Sequence, residues 1–365
     1  MSIELIISLV KANIVLAVLL TNTILLIWFD RKVVAGMQSI VGPDRAGPFG
    51  ILQTLADAIK LLLKEQILPL KADRAMYLLA PLIALVPSFL IFMIIPLGPD
   101  ITVEWQNTLY TIPLVGADLN VGVLYFLALS SIAVYSVVLA GWSSGSKYPL
   151  LGGVRASAQM ISYEAAMGLA LVPVILYSGS LSLVDIVNSQ SGNLSSSIPI
   201  LNTIVSFIPK WNIFPQFVAF GIFFIAAVAE VNRAPFDLVE AEQELVGGFH
   251  TEYSGFRFAM FFLAEYINMF NMCAITATFF LGGWLGPTFE GILPPIFSVI
   301  MPIIWLGVKT FLLLFVFVWI RATLPRLRYD QLMELGWKRM IPLSLVWLIL
   351  SAIVLGLREF GLPWS

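Results

Sequence analysis

Long apolar stretches almost without charge are the feature that most limits how this 365-residue chain can fold. Eight such runs approach the roughly 20 residues that a helix needs to cross a bilayer. They cover residues 5–29, 76–97, 119–141, 158–178, 213–232, 256–282, 297–320 and 340–357. Charged residues make up only 12% of the chain, against about 25% in soluble domains. The sequence therefore predicts an all-α polytopic membrane protein with about eight transmembrane helices, in a single integral membrane domain over residues 1–365.

The distribution of positive charge predicts the orientation of these runs. Of the 20 lysines and arginines, 16 lie in connections that follow odd-numbered runs, and only Lys210 and Arg358 lie in the others. Cytoplasmic loops carry the excess of positive residues. We therefore expect the odd connections to face the cytoplasm and both termini to lie on the outer side. The first run is too long for the apolar region of a signal peptide and is expected to be retained.

The first cytoplasmic connection, residues 30–75, contains a helical pattern in "GILQTLADAIKLLLKEQILP". Its apolar residues recur at helical spacing and are Ile51, Leu52, Leu55, Ile59, Leu62 and Leu63. This pattern predicts an amphipathic helix in the plane of the cytoplasmic membrane interface. A helix packed on the bundle would show the same stripe, and the two interpretations are compatible.

Composition excludes several kinds of redox and metal chemistry for this chain alone. It has one cysteine, Cys273, and one histidine, His250, so it can form no internal disulfide, cysteine-ligated iron–sulfur cluster or bis-histidine haem. No nucleotide-binding motif is visible. We expect neither catalytic residues nor a metal site, and any redox centre to belong to a partner.

The second notable connection, residues 230–257, is strongly acidic and contains "DLVEAEQELVGGFHTEYSG". Pro235 is placed like the first residue of a helix and Gly247-Gly248 like its end. Such a helix carries its acids on two faces: Asp237, Glu240 and Glu244 on one, and Glu242 elsewhere. Neighbouring carboxyls raise one another's pKa, which a proton relay requires. Taken in isolation, a solvated acidic loop explains the pattern at least as well.

Three further acids lie inside apolar runs: Glu164 in the fourth, Glu230 in the fifth and Glu265 in the sixth. An acid in the middle of a membrane helix costs about 2.5–3.5 kcal/mol on insertion scales, so it normally faces a partner or water. Lys309 in the seventh run is a possible partner, in a structural ion pair. Because all three acids lie toward the cytoplasmic half, a hydrated acidic path is the favoured interpretation.

Charged and aromatic residues at the cytoplasmic ends of these runs suit an apolar ligand with a polar head. Asp30-Arg31-Lys32 ends the first run, with Lys32 as an interfacial anchor and Arg31 able to pair with acids. The aromatic residues near these charges are Phe49, Phe236, Phe249, Tyr253 and Phe256. Ordinary interfacial packing is the alternative for them, and a structural role is the expectation for His250.

Several segments resemble a known family. They are "VGPDRAGPFGILQTLADAIKLLLKE", "MISYE", "AEVNRAPFDLVEAEQELVGGFHTEYSG" and "WIRATLPRLRYDQLMELGWK". In this order they resemble the quinone-chamber membrane subunit of respiratory complex I, the ND-one family of proton-pumping NADH–quinone oxidoreductases. The resemblance covers nearly the whole chain.

The resemblance implies a quinone substrate such as ubiquinone and no covalently bound cofactor. Its implied partners are peripheral quinone-reducing subunits, one of which carries the terminal iron–sulfur cluster, small membrane-arm subunits, antiporter-like pump subunits and the lipid bilayer. No nucleic acid is expected. The implied location is an energy-transducing membrane, the inner or plasma membrane of a prokaryote.

The resemblance also implies roles for individual residues. The quinone-chamber residues are Asp30, Arg31, Asp57, Arg233, Phe236, Glu252 and Tyr253. The proton-relay residues are Glu164, Glu230, Asp237, Glu240, Glu242, Glu244 and Glu265. Four positions depart from many relatives: Asp30 stands for Glu, Ile40 for Arg, Asp44 for Asn and Val239 for Pro. These departures bear on the chamber contacts.

We therefore expect a quinone-lining subunit without a redox centre, in a proton-translocating electron-transport complex. Two alternatives stay open from the residues: the membrane anchor of an energy-converting hydrogenase and a stand-alone proton-coupled secondary transporter. The intact "GGFHTEYSG" and the long first connection favour the quinone branch over the hydrogenase.

Overall fold

The computed structural model describes residues 3–105, 108–193, 209–238, 246–287 and 296–360. The α-helices are α1 (Ile3–Met37), α2 (Gln53–Leu63), α3 (Arg74–Met93), α4 (Gly122–Ser143), α5 (Lys147–Ser178), α6 (Leu183–Ser189), α7 (Phe217–Glu230), α8 (Gly255–Phe280), α9 (Ile296–Thr323), α10 (Tyr329–Glu334) and α11 (Ile341–Phe360). Short 3₁₀ turns lie at Pro48–Gly50 and Gly248–His250, and a π-helical turn, Leu335–Met340, joins α10 to α11.

Within these ranges seven helices are long and apolar enough to cross a membrane, which makes the chain a multi-pass membrane protein. Their bounds are Val10–Met37, Arg74–Met93, Gly122–Ser143, Lys147–Ser178, Gly255–Phe280, Ile300–Thr323 and Tyr329–Arg358. The remaining predicted run, 213–232, forms α7, which has only 14 residues. At 1.5 Å per residue α7 is about 21 Å long, shorter than the ~30 Å apolar core of a bilayer.

Successive long helices run in opposite directions, so the bundle has two ends. At the end where α1 finishes and α3 starts, Asp73 donates its backbone N–H to Ser143 O at 2.9 Å. We call this the charged end, because Asp30, Arg31 and Arg233 lie there. At the other end, Val123 N–H bonds to Leu181 O at 3.0 Å.

A two-stranded antiparallel hairpin lies between α3 and α4 and gives this second end its name, the hairpin end. Strand β1 (Ile101–Trp105) pairs with β2 (Thr108–Ile112), with Ile101 opposite Ile112. The hairpin is an addition to the predicted helical architecture, which describes the rest of the regular structure. The segments "ITVEW" and "TLYTI" are rich in the β-branched and aromatic residues that favour strands.

Two connections at the charged end differ in how well sequence predicted them. The amphipathic helix is present as α2, with Thr54 buried and Leu63 exposed. The helix predicted to begin at Pro235 is absent from the described residues 235–238, which form turns. The physical reason is a tertiary contact. The Gln159 amide Nε2 donates to Ala229 O at 2.9 Å and to Phe236 O at 2.7 Å, so the backbone from Ala229 to Phe236 bends around the Gln159 side chain.

Helix α5 begins eleven residues before the predicted run at 158. Its first turns hold Gly152, where an added Cβ would lie 2.6 Å from the Cα of Gly248. Glycine therefore allows the backbone that leads into α8 to approach α5 directly. This contact fixes the Gly248–His250 turn against the helix that carries Glu164.

Candidate functional site

A small cavity that several ionisable residues reach lies at the charged end, between α3, α4, α5, α7, α8 and the Gly248–His250 turn. Its volume is about 60 Å³. A water needs about 10–15 Å³ by this measure, so the space suits several waters. Its ionisable lining consists of Glu230, Asp237, His250 and Glu265. We call this space the acidic cavity.

Glu230 ends α7 and is almost fully buried at the wall of the acidic cavity, with 6% of its surface exposed. Its Oε2 has no hydrogen-bond partner in the part of the chain that the structure describes. Glu164 on α5 is the acid whose charge acts on Glu230. Glu164 in turn accepts hydrogen bonds from the hydroxyls of Ser130, at 2.9 Å, and Ser131. Glu164 is therefore close enough for its charge to influence Glu230.

Glu265 on α8 faces the acidic cavity and contacts a buried arginine. Its Oε1 lies 3.0 Å from Arg233 Nε, and Arg233 is only 4% exposed. The N–H does not point at the carboxylate, so the contact is mainly electrostatic. Burial opposes the charge of Arg233, but Glu265 and then Tyr266 outweigh it and raise the pKa of the guanidinium. The Cζ atom of Arg233 also lies 4.3 Å from the centre of the Tyr266 ring.

Tyr266 extends the series of polar contacts from Arg233 to α1. Its hydroxyl donates to Asp30 Oδ2 at 2.8 Å, and Arg321 Nη1 approaches the same oxygen at 2.6 Å. Asp30 is almost completely buried. Neither Tyr266 nor Arg321 was among the predicted site residues. The position of Tyr266 directly after Glu265 was a usable signal, whereas Arg321 lies 291 residues from Asp30 and had none.

The residue after Asp30 belongs to a second space. Arg31 Nη1 lies 2.6 Å from Asp57 Oδ2 on α2, and both residues line a cleft of about 330 Å³ between α1, α2 and α8. Most of the other lining is apolar, including Ile27, Leu263 and Phe262. We call this space the apolar cleft.

Burial opposes ionisation of Asp57 and is the largest single influence on it. The Arg31 guanidinium outweighs burial, with help from Gln53 and Lys60, and holds the pKa of Asp57 below its usual range. The pair is therefore ionised at neutral pH. A cleft of this size, mostly apolar with one charged pair, has the character of a small-molecule site.

Glu252 and Tyr253 lie in the loop that leads into α8 and bind it to α3. Tyr77 donates its hydroxyl to Glu252 O at 2.7 Å, and its ring stacks on Tyr253 at 4.1 Å. Burial raises the pKa of Tyr253 to about 12. These contacts hold the loop against α3. The side chain of Glu252 is half-buried. Phe236 packs in the core with its ring 5.4 Å from that of Tyr163, and it lines neither cavity.

His250 lines the acidic cavity. The sequence had predicted only a structural role for this residue. Its ring packs among Phe249, Phe258 and Phe261. Burial lowers its pKa to about 3, so the imidazole is neutral at physiological pH. Its Nε2 is buried without a hydrogen-bond partner in the described ranges.

The outcome differs among the remaining predicted residues. Glu240, Glu242 and Glu244 lie outside the described residues. Lys309 does not pair with the acids of the membrane helices. Its ammonium donates to three carbonyls at the hairpin end: Leu281 O at 2.6 Å, Gly283 O at 2.9 Å and Leu285 O. Leu281 follows Glu265 by 16 residues, which is about 24 Å along a helix. Of the aromatic residues, Phe49 is exposed and Phe256 lines the apolar cleft.

Comparisons with known proteins identify relatives of the whole chain. Residues 10–352 match the family described as NADH dehydrogenase. The NADH-quinone oxidoreductase H subunit 2 of Koribacter versatilis (strain Ellin345) is 47% identical over 362 residues, 97% of this chain and 98% of that protein. The corresponding protein of Syntrophobacter fumaroxidans (strain DSM 10017 / MPOB) is 51% identical over 336 residues, 92% of each chain.

A third relative is longer than this chain. The NADH-quinone oxidoreductase H subunit of Frankia casuarinae (strain DSM 45818 / CECT 9043 / HFP020203 / CcI3) is 51% identical over 346 residues, 94% of this chain and 72% of that protein. Neither a hydrogenase anchor nor a stand-alone transporter is named among these relatives. The chain belongs to the H-subunit family of NADH-quinone oxidoreductases, the ND-one membrane subunits of complex I.

Proposed function

We propose that this chain lines the quinone site of its complex and passes redox-linked changes of protonation toward the proton-pumping subunits, without a redox centre of its own. The observation that carries the proposal is a series of charged and polar contacts that ends at the acidic cavity and begins at Asp30, the sequence neighbour of Arg31 in the Arg31–Asp57 pair. The contacts run from Asp30 through Tyr266 and Arg233 to Glu265.

The apolar cleft is the proposed route by which a quinone reaches its site from the bilayer. A quinone has an isoprenoid tail and a head with two carbonyl oxygens. The aliphatic and aromatic walls suit the tail, and Arg31 supplies a hydrogen-bond donor for a carbonyl oxygen. Asp57 holds Arg31 in place and charged. Reduction of the quinone takes up both electrons and protons. We assign the source of the electrons to an iron–sulfur cluster in a partner protein.

The acidic cavity is the proposed start of the proton relay. A change of charge near Arg31 and Asp30 alters the field at Arg233, which acts on Glu265 in the cavity. Glu230 faces the same cavity and is coupled to Glu164, the acid farther from the cleft. Glu164, Glu230, Asp237 and Glu265 form the proposed relay, with Glu240, Glu242 and Glu244 in the adjoining acidic connection. One pKa unit corresponds to about 1.4 kcal/mol, so a few coupled carboxyls can carry a useful signal.

The remaining details of the architecture follow the same proposal. The chain is one integral membrane domain over residues 1–365, with α7 as an eighth span beside the seven long helices. The charged end, with connections 30–75 and 230–257, faces the cytoplasm of a prokaryote, and both termini face outward. Glu252, Tyr253 and Phe236 support the proposed chamber through their packing at this end and line neither the apolar cleft nor the acidic cavity. The peripheral quinone-reducing subunits dock there, and the pump subunits lie beyond Glu164.

The test replaces Glu164 by glutamine in the whole complex, reconstituted into liposomes. We expect normal assembly, because the amide still accepts a hydrogen bond from Ser130, and a loss of quinone reduction coupled to proton pumping. The matched control is Glu334→Gln, since Glu334 is exposed and pairs with the exposed Lys338 at 3.3 Å. Full coupled activity in Glu164→Gln would reject the relay.

A further inference from the structure

A second apolar groove lies at the hairpin end, far from the proposed quinone site. Its volume is about 390 Å³. One wall is the start of α1, with Val10 and Ile14, and the other is the segment from β2 toward α4, with Leu114 and Val115. Lys11 is the one ionisable residue in the described lining.

The wall formed by residues 113–117 is fixed to the end of α3. Leu97 N–H donates to Leu114 O at 2.8 Å, and Ala117 N–H donates to Met93 O at 2.8 Å. At Gly116 an added Cβ would lie 2.5 Å from Met93 O, so only glycine permits this approach. The groove is therefore a preformed feature of the fold, held by backbone contacts.

The charges at the mouth of the groove are of both signs. Asp100 directly precedes Ile101, which pairs with the groove residue Ile112, and Asp118 lies two residues after the groove residue Gly116. Both aspartates are exposed. Because the groove lies at one end of the membrane-spanning helices, a ligand here has an apolar part in the bilayer and a polar part at the interface. An acyl chain is as well solvated by other lipids as by the groove. Selection among lipids therefore depends on the headgroup.

We propose that this groove binds a phospholipid that carries a phosphate and a primary ammonium, as in phosphatidylethanolamine. The phosphate accepts from Lys11, and the ammonium donates to Asp100 and Asp118. A purely anionic headgroup is repelled by the two carboxylates. A choline headgroup is cationic but has no N–H to donate, so it binds less well.

The test measures which lipids the purified complex retains. The complex is equilibrated with equal amounts of phosphatidylethanolamine, phosphatidylcholine and phosphatidylglycerol, and the lipids kept after detergent washing are counted by mass spectrometry. We expect retained phosphatidylethanolamine to exceed each of the other lipids about two- to five-fold, the ratio given by an exposed ion pair. Equal retention of all three lipids, or preferential retention of phosphatidylglycerol or phosphatidylcholine, would overturn the proposal.

Variants separate the groove from general membrane attraction. Lys11→Met is expected to abolish the preference, whereas Lys210→Met, a change at an exposed lysine of the hairpin end outside the groove, is expected to keep it. Combined Asp100→Asn and Asp118→Asn is expected to shift the preference toward phosphatidylglycerol. If Lys11→Met fails to assemble, Ile14→Trp fills the groove and should release one retained lipid. Unchanged retention in Ile14→Trp, or unchanged preference in Lys11→Met, would contradict the site.

Discussion

Buried ionisable groups at the two ends of the bundle differ in how many of their hydrogen bonds are made. At the hairpin end the ammonium of Lys309 donates to three carbonyls in the Leu281–Leu285 segment and lies 4.3 Å from the Trp211 ring centre. At the charged end Glu230 Oε2 and His250 Nε2 have no hydrogen-bond partner in the described part of the chain.

This difference separates a structural site from a functional one. A buried charge whose hydrogen bonds are all made is fixed, because any change of state leaves carbonyls unpaired. A buried carboxyl beside a hydrated space can gain or lose a proton with less rearrangement, since water can serve either form. The same contrast explains why Lys309 carries no step in the proposed relay although it is as deeply buried as Glu230.

Replacing Lys309 by methionine should have the largest effect. The change leaves three carbonyls without their donor beside the Trp211 ring, and each unsatisfied buried group costs about 1–3 kcal/mol. We expect the free energy of unfolding to fall by about 3 kcal/mol or more, measured as a lower thermal midpoint and yield of the assembled complex. Lys210→Met is the control, because Lys210 is exposed at the same end. A stable Lys309→Met complex would break the comparison.

Glu230→Gln should have the opposite balance of effects. The amide is neutral and of the same shape, and a neutral group is easier to bury than a carboxylate, so we expect unchanged or slightly higher stability. Pumping coupled to quinone reduction should fall about tenfold, the result of about 1.4 kcal/mol in a limiting step. Proton uptake by liposomes with NADH as donor and the thermal midpoint of the complex measure the two quantities. A loss of stability with full pumping would place Glu230 in the same class as Lys309.

His250→Gln should change the response of the complex to pH. The pKa of His250 is about 3 in the folded chain and 6.5 when unperturbed, so between these values the unfolded chain binds a proton that the folded chain does not. Stability is therefore lost as pH falls below about 6.5, by at most about 1.4 kcal/mol per pH unit from this residue. Comparing thermal midpoints at about pH 7.5 and about pH 5.5, we expect a smaller loss in the variant. Identical losses would mean that His250 is hydrated and titrates normally.

The sequence predicted the parts of this picture that depend on local pattern. Apolar runs gave the long helices, and the 3.6-residue spacing gave α2, because both signals lie within one segment. Acids inside apolar runs also pointed to the charged end, and the structure brings Glu230 and Glu265 to one cavity. The variants Glu164→Gln and Glu230→Gln test the proposed roles of these acids.

The parts that sequence missed depend on contacts between distant segments. Gln159 lies 77 residues from Phe236, and its amide turns the backbone where a helix was predicted. Arg321 meets Asp30 from the other end of the chain. Lys309 was a possible partner of the acids on charge alone, but the carbonyls of the loop after α8 are its partners. Charge type predicts that a buried group needs a partner and does not identify that partner.

The Arg31–Asp57 pair lies between the two extremes and should show the smallest effect. It is fully paired, like Lys309, but its side chains are 39% and 25% exposed, so solvent screens it to about 0.2–1 kcal/mol. Because the folded-state pKa of Asp57 is lowered, this contribution is present above the usual aspartate pKa of 3.8 and is lost as pH falls through the folded value.

We expect Asp57→Asn to assemble normally and to raise KM for quinone about two- to five-fold with kcat little changed. Asp44→Asn is the matched control, since Asp44 pairs with Lys32 at 3.4 Å outside the apolar cleft. An equal rise of KM in both variants would show a general loss of surface charge, whereas a fall of kcat without a change of KM would move Asp57 from the quinone route to the relay.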